Sequence, residues 1–189
     1  PTAVHLYGGF SGTESDRSER DYAVFRTVID GGGAGSCVIA GTNSIIDGFV
    51  IQNGDTGETG NGSGVQAINK NGVVVRNTIF VNNRGGFGAA AYAGLASMSL
   101  TNCVFVGNEA GYGPVVYGLF AEVSMVNCSA FGNTTIELAG GAHFASSSFS
   151  ATNCIFWENG AVDVLLTALR EGIDEGVLTR CVVRELQGQ

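Results

Sequence analysis

Apolar and polar residues alternate along the middle of the chain in short runs that recur at nearly constant spacing. Met98 and Leu100 stand two residues apart with a serine between them, and Val123 and Met125 repeat the arrangement. A period of two residues is typical of a strand with one buried face. Glycine-rich bends separate the runs, and neither a helical period nor an Asn-Gly hairpin turn links them. The pattern therefore predicts about three short strands in each recurring unit.

One phrase marks the repeat. TNCVFVGN at 101–108 returns as VNCSAFGN at 126–133 and TNCIFWEN at 152–159, and RNTIFVNN at 76–83 precedes them, so the steps are 25, 25 and 26 residues. This period is too short for a propeller blade, and the Leu-x-x-Leu-x-Leu frame of leucine-rich repeats is missing. The spacing predicts an all-β chain wound as a parallel β-solenoid of about six coils.

The regularity of the repeat divides the chain, which we interpret as one β-helix domain over 1–189. Irregular initial coils are expected over 1–63, regular coils over 64–159 and an edge segment over 160–189. Within the first part, the step from Asn53 to Asn83 is 30 residues, which predicts an enlarged loop at 54–64. In the edge segment, DVLLTALREG (163–172) fits either a short helix or an irregular strand.

Repeated residues should stack, because in-register strands of neighbouring coils lie about 4.8 Å apart. We expect an asparagine column at a turn to bond amide to amide and to satisfy backbone groups that the bend removes from the sheet. Two such columns and one of cysteine are predicted, with structural and not ligand-binding roles. The columns are Asn77, Asn102, Asn127 and Asn153; Asn83, Asn108, Asn133 and Asn159; and Cys103, Cys128 and Cys154.

The cysteines are expected to be free thiols. In-register parallel neighbours hold their Cβ atoms about 4.8 Å apart, which exceeds the roughly 3.8 Å that a disulfide prefers. The sequence contains no Cys-x-x-Cys motif, which is the usual signature of a zinc site. The five cysteines are an odd number, so they cannot all pair within one chain. Thr78 precedes the column, Cys181 follows it, and Cys37 stands apart.

Aromatic residues suggest two further features. Ile68, Tyr92, Tyr117 and Phe144 are predicted to share a column upstream of each phrase. Trp157 follows Phe156 at a position that Val81 and Val106 occupy in other coils. Core or edge packing is therefore favoured for Trp157 over an outward platform for a sugar.

The order of motifs resembles a known family, the right-handed parallel β-helix proteins related to the chlamydial polymorphic outer-membrane proteins and to similar secreted bacterial proteins. VHLYGGFSGTESDRSERD, TVIDGG, SIIDGFVIQNG and TNCVFVGN follow one another as in that family. Its Phe-x-x-Asn motif is matched at Phe80, Phe105 and Phe156, whereas Phe131 is shifted by one place. The resemblance implies a right-handed coil and a secreted or cell-surface location, and it implies little about chemistry.

Charge and composition limit the classes of binding partner that the chain can have. The net charge is −8 with nine basic residues, none in a run, which argues against nucleic acid. No apolar stretch reaches the roughly 20 residues of a membrane-spanning helix. The chain begins at Pro1 without a signal pattern, which suits a piece excised from a longer precursor. The last coil resembles the turn that comes before a terminal capping segment in that family. Self-association through uncapped solenoid ends is therefore expected. A glycan or surface partner is expected as well.

Candidate chemistry is sparse. Asp55, Glu58 and Asn61 in the enlarged loop form a weak calcium candidate that fits no EF-hand frame. Other acids fall at different repeat positions and are interpreted as solvated surface: Asp47, Glu109, Glu122, Glu137 and Glu158. No cofactor is expected, and catalysis is disfavoured. The sequence predicts an extracellular structural or adhesive solenoid, with a polysaccharide-binding or polysaccharide-degrading module as the alternative.

Overall fold

The computed structural model describes residues 3–137, 140–167, 175–184 and 186–188, and these residues form an all-β solenoid of about six turns. Three parallel sheets of seven strands run along it, and a short sheet of three strands lies at one corner. Successive strands of the chain pass from sheet 1 to sheet 2 and then to sheet 3, so each sheet gains one strand per coil. The predicted fold class is confirmed, and the right hand of the coil stays a prediction.

The strands are short and evenly distributed. Sheet 1 contains β1 (His5–Tyr7), β4 (Ile45–Asp47), β7 (Val73–Arg76), β11 (Ser97–Thr101), β15 (Glu122–Val126), β19 (Ser148–Thr152) and β22 (Glu175–Thr179). Sheet 2 contains β2 (Thr27–Asp30), β5 (Phe49–Gln52), β8 (Ile79–Val81), β12 (Val104–Val106), β16 (Ser129–Phe131), β20 (Ile155–Trp157) and β23 (Val182–Val183). Sheet 3 contains β3 (Val38–Ile39), β6 (Val65–Ile68), β10 (Ala91–Gly94), β14 (Val116–Leu119), β18 (Ala142–Ala145), β21 (Val164–Thr167) and β24 (Leu186–Gly188). The short sheet contains β9 (Arg84–Phe87), β13 (Glu109–Tyr112) and β17 (Thr134–Thr135).

Interior columns form the core. Leu100 stacks between Val75 and Met125, and all three are buried, as the period-two pattern predicts. The rings of Phe80 and Phe105 lie parallel with their centroids 5.0 Å apart.

The next coil shows why its Phe-x-x-Asn motif is shifted. Ala130 pairs with Phe105 and Phe156 at the interior position, three residues before the interior asparagine column. Phe131 follows it along the strand and therefore points outward. Alternation along the strand, and not the chemistry of the ring, decides which residue enters the core.

The corner between sheets 1 and 2 requires a left-handed backbone. Asn77, Asn102, Asn127 and Asn153 occupy this corner in successive coils with φ between 52° and 54°. Asparagine tolerates this conformation better than most residues, which explains why one residue type recurs there. At the corner between sheets 3 and 1, Leu95 adopts φ 50° with an exposed side chain.

The chain departs from the regular repeat at the enlarged loop and in the edge segment. No strand lies between Gln52 and Val65, and isolated bridges join Asp55 to Arg84 and Asn61 to Phe87, so the enlarged loop is confirmed and packs beside the short sheet. In the edge segment, residues 164–167 form a strand; the remainder of the proposed helix, 168–172, lies outside the described residues.

Candidate functional site

The interior asparagine column is a continuous hydrogen-bonded ladder. Nδ2 of Asn83 donates to Oδ1 of Asn108 at 3.0 Å, and Asn108 donates in turn to Asn133 at 2.9 Å. The same Oδ1 atoms accept backbone N–H groups, and each Nδ2 also donates to a backbone carbonyl of the preceding coil, such as that of Phe80. All members are buried. The predicted ladder is confirmed for this column.

This ladder ends on a buried carboxylate. Asn133 donates to Asn159 at 2.7 Å, and Nδ2 of Asn159 donates to Oδ1 of Asp163 at 3.2 Å. The other carboxylate oxygen of Asp163 accepts the backbone N–H of Arg184. A row of amides that all donate in one direction leaves an N–H at its end, and an acceptor without hydrogens is the matching terminus.

The corner asparagines form a second ladder that runs the opposite way. Asn153 donates to Asn127, Asn127 to Asn102 and Asn102 to Asn77, at 3.1 to 3.2 Å. Asn77 then donates to Oδ1 of Asp47 at 2.8 Å. Each ladder therefore ends on a buried aspartate, one near each end of the described solenoid.

Asp47 was predicted to be solvated surface, and that prediction is wrong. Its side chain is fully buried and binds Arg20 at 2.5 Å and Arg76 at 2.8 Å. Burial alone would raise the pKa of Asp47, but the hydrogen bonds from Arg20, Asn77 and Arg76 outweigh it and hold the pKa below its ordinary value. The only sequence signal of this burial was the position of Asp47 within a short run that forms a buried strand.

The ion pair between Arg20 and Asp47 fixes the N-terminal segment, residues 9–26, to the solenoid. Arg20 also donates to the carbonyl of Gly8, and Asp21 N–H bonds to Gly9. Tyr22 packs so closely on Gly48 that a Cβ there would lie about 3.0 Å from the tyrosine Cβ. Gly48 has φ 85°, so both its conformation and its contact require glycine.

The cysteine column is buried and contains no disulfide. Cys103, Cys128 and Cys154 are free thiols in the interior, as predicted, and each donates to the carbonyl two residues before it. Hydrogen bonding with Cys103, together with burial, raises the pKa of Cys128 to about 12. Cys37 and Cys181 are half-buried. The three buried thiols of the column are therefore packing groups of low reactivity.

The calcium candidate is organised around an arginine. Asp55 and Glu58 lie 3.7 and 3.9 Å from the guanidinium of Arg84, and Glu109 lies 2.9 Å from its Nε. The carbonyl of Asn61 accepts from Gln66 at 2.7 Å. The three candidate residues thus share one loop but already have partners. Calcium binding there stays a prediction that would require Arg84 to move.

Aromatic residues cover the outer face of sheet 3. Tyr92, Tyr117 and His143 occupy one column, and the rings of Phe87 and Tyr112 on the short sheet pack beside them. The predicted column is correct for the two tyrosines only. Ile68 pairs instead with Gly94, and Phe144 pairs with Gly118 and points inward.

His143 is the member of this column that the sequence did not reveal. Its Nε2 lies 2.9 Å from the hydroxyl of Thr167, whereas its Nδ1 has no hydrogen-bond partner among the described residues. Burial lowers the pKa of His143 to about 4, so the ring is neutral near pH 7.

From β12 to β23, the outer face of sheet 2 differs from the other two faces because its exposed side chains are apolar except for Ser129. We call it the apolar face. Phe131 and Trp157 are 53% and 42% exposed, so the prediction that Trp157 packs in the core or at an edge is wrong. Its place on an outward column, between the alternating interior residues, explains the difference. The exposed members of the apolar face are Val104, Val106, Phe131, Ile155, Trp157 and Val182.

A groove continues the apolar face toward the N-terminal segment. Its volume is about 360 Å³, and its floor is formed by Val50, Ile79 and Val104. Tyr22 and Arg26 of the N-terminal segment form one wall. Asn77 and Asn102 of the corner ladder also line the groove.

Sheet 1 presents a contrasting surface. Ser99, Ser124 and Ser150 stack on its outward side. The described solenoid therefore carries a hydroxyl-bearing face, an apolar face and an aromatic cluster on three different sheets. Large exposed apolar surfaces are uncommon on soluble monomers and mark interaction sites. The apolar face and its groove are the strongest candidate functional site.

Among the described residues, no group of three or more His, Cys, Asp or Glu side chains is arranged to hold a metal ion. The described part of the chain also contains no helix of the length and hydrophobicity needed to cross a bilayer.

Comparison of the chain with protein-family models, with curated proteins and with solved structures finds no significant match in any of the three. The parallel solenoid itself is the part of the family resemblance that the structure supports.

Proposed function

We propose that the protein is an extracellular structural or adhesive module, in which a stiff solenoid presents the apolar face for attachment. The observation that carries the proposal is the row of exposed Val106, Phe131 and Trp157 on strands whose backbones are fixed by neighbours on both sides. A rigid surface loses little conformational entropy on binding, so apolar contacts there contribute most of their energy to affinity.

Adsorption to defined surfaces tests this proposal. A quartz-crystal microbalance would compare alkyl-terminated with hydroxyl-terminated monolayers. The wild type should adsorb to alkyl chains, and a Phe131→Ser, Trp157→Ser double variant should lose most of that binding. Val126→Ser, at an exposed outward position of sheet 1, is the matched control. Equal adsorption by the double variant and the wild type would overturn the proposal.

Stacking through the coil ends is a second structural role that the sequence predicts. Support comes from an apolar cavity of about 120 Å³ between the first strands of sheets 1 and 3, lined by Val4, Leu6, Ile39 and Ile46 among others. Electron microscopy and light scattering, with and without calcium, would detect fibres. An Ile39→Asp variant should shorten them. Particles of one chain in length under all conditions would contradict end-to-end stacking.

Polysaccharide binding is the alternative function, and the groove favours it. Tyr22 offers an exposed ring, Arg26 a cation and the corner asparagines amide groups, a combination that suits an acidic sugar. Calorimetry with acidic oligosaccharides should then show binding that Tyr22→Ala abolishes. Release of unsaturated or reducing sugars would add catalysis to binding, and the absence of heat with the wild type would exclude this ligand class.

A further inference from the structure

The apolar face is uncharged in a strongly acidic chain. Strands β8, β12, β16 and β20 contain no charged residue, whereas the chain as a whole carries a net charge of −8. Two copies of such a chain repel each other over most orientations. The apolar face is therefore where two copies can approach with the least electrostatic cost and the largest gain from burying apolar surface.

The surface on the side of the apolar face has a step in height. The N-terminal segment rises over part of sheet 2, where Tyr22, Ala23 and Arg26 lie across a groove from Val50 and Ile79. Farther along the solenoid, Phe131, Ile155 and Trp157 are exposed. The surface thus has a raised part near the first coils and a recessed part near the last ones.

A stepped surface is complementary to itself when one copy is turned end for end. A two-fold axis perpendicular to the solenoid would place the raised part of each copy over the recessed part of the other, which is an isologous contact. The N-terminal segment, which forms the raised part, carries further exposed apolar side chains, with Val24 at 66% and Phe25 at 42%. These residues are suited to contact Phe131 and Trp157 of a second copy.

The available area is sufficient. The exposed parts of Tyr22, Val24 and Phe25, added to those of the apolar face, amount to roughly 800 Å² per copy, which is about what each partner buries in a standard interface. We propose that a second copy of this chain binds the apolar face in antiparallel orientation, with Val24 and Phe25 of each copy on Phe131 and Trp157 of the other. This inference rests on the proposed function and names the partner for the same surface.

Sedimentation equilibrium over a wide concentration range tests the proposal. With Ile39→Asp as a common background, which removes stacking through the coil ends, the chain should form a dimer and no larger species. Phe131→Glu and Val24→Lys should each raise the dissociation constant about tenfold or more, since each would bury an unpaired charge. Val126→Glu, on the outward side of sheet 1, is the matched control and should leave the constant unchanged. Circular dichroism would check that all variants keep their strands.

Mixing the two variants tests the antiparallel arrangement. One Phe131→Glu chain and one Val24→Lys chain would bring opposite charges together at one contact and leave the other contact unaltered, so a heterodimer should form more tightly than either homodimer. No gain on mixing would overturn the arrangement. A wild type that stays monomeric but still adsorbs to alkyl monolayers through Phe131 and Trp157 would overturn self-association alone and leave the proposed function standing.

Discussion

Asn159 donates its side-chain N–H to the buried carboxylate of Asp163 at 3.2 Å, and this contact ends the interior ladder. At the other end of the described coils, Asn77 makes the corresponding bond to Asp47 in the corner ladder. The two ladders run in opposite directions, and each ends on a group that accepts hydrogen bonds without donating any when ionised. The last amide of each row has no further asparagine to accept its N–H group, and the carboxylate supplies that acceptor.

The interior ladder should contribute strongly to stability. Asn108→Ala would remove the oxygen that accepts both the backbone N–H and the side-chain N–H of Asn83, and would leave Oδ1 of Asn133 without one donor. We expect a loss of about 3 kcal/mol in the free energy of unfolding, measured by urea titration. Asn102→Gly is the matched control, because it removes an exposed amide at a corner where glycine fits the positive φ. An equal loss in both variants would contradict the distinction between the ladders.

Asp47 should make the protein sensitive to acid. The folded pKa is below the ordinary value of 3.8, so the ionised group contributes stability above the unfolded pKa, and that contribution is lost as pH falls through the folded pKa. Asp47→Asn should lower stability at pH 7 by about 3 kcal/mol, because two arginines lose their carboxylate. The variant should also lose stability less steeply than the wild type below about pH 4. Parallel pH slopes would refute the assignment.

His143 should act in a higher pH range. Its folded pKa of about 4 lies below the unfolded value of 6.5, so the unfolded chain binds the proton first and stability falls as pH drops from 6.5 toward 4. The difference corresponds to about 3 kcal/mol across that window. His143→Phe keeps a ring beside Tyr117 and removes the titration, so its unfolding free energy should be nearly constant there. Thermal melts at matched ionic strength would show a retained pH slope if the assignment were wrong.

The thiols should differ in accessibility. Cys103, Cys128 and Cys154 are buried, whereas Cys37 and Cys181 are half-buried. A disulfide reagent at pH 8 should label at most the latter two in the native protein and all five cysteines in guanidinium. Variants with Cys37→Ser or Cys181→Ser would identify the reactive positions. Rapid labelling of four or five thiols without denaturant would contradict the packed column.

Leu95 offers a stabilising substitution. Its backbone has φ 50°, which is costly for leucine, and its side chain is exposed. Asn69 occupies a left-handed position of its own, with φ 53°, which shows that asparagine is acceptable in such a turn. Leu95→Asn should therefore raise the free energy of unfolding by roughly 0.5–1 kcal/mol in urea titrations. Leu100→Asn, at a buried position of the next strand, should be strongly destabilising and serves as the contrasting case.

The sequence by itself determined the repeat, the parallel solenoid and the three structural columns. A period of 25 or 26 residues can be satisfied only if equivalent residues stack, so Asn83, Asn108, Cys103 and Cys128 could be assigned without coordinates. The enlarged loop at 54–64 followed from the same count.

The tertiary structure decided what lies outside the strict repeat. Asp47 and Asp163 occur once each, so no periodicity could show that they end the ladders, and Arg20 reaches Asp47 from 27 residues away. Trp157 and Phe131 alternate with interior neighbours, and only the strand register fixed them on the exposed side. The position of the N-terminal segment over sheet 2 depends on these non-repeated contacts. Repetition therefore specifies the solenoid, whereas single, long-range contacts specify the surface on which its function depends.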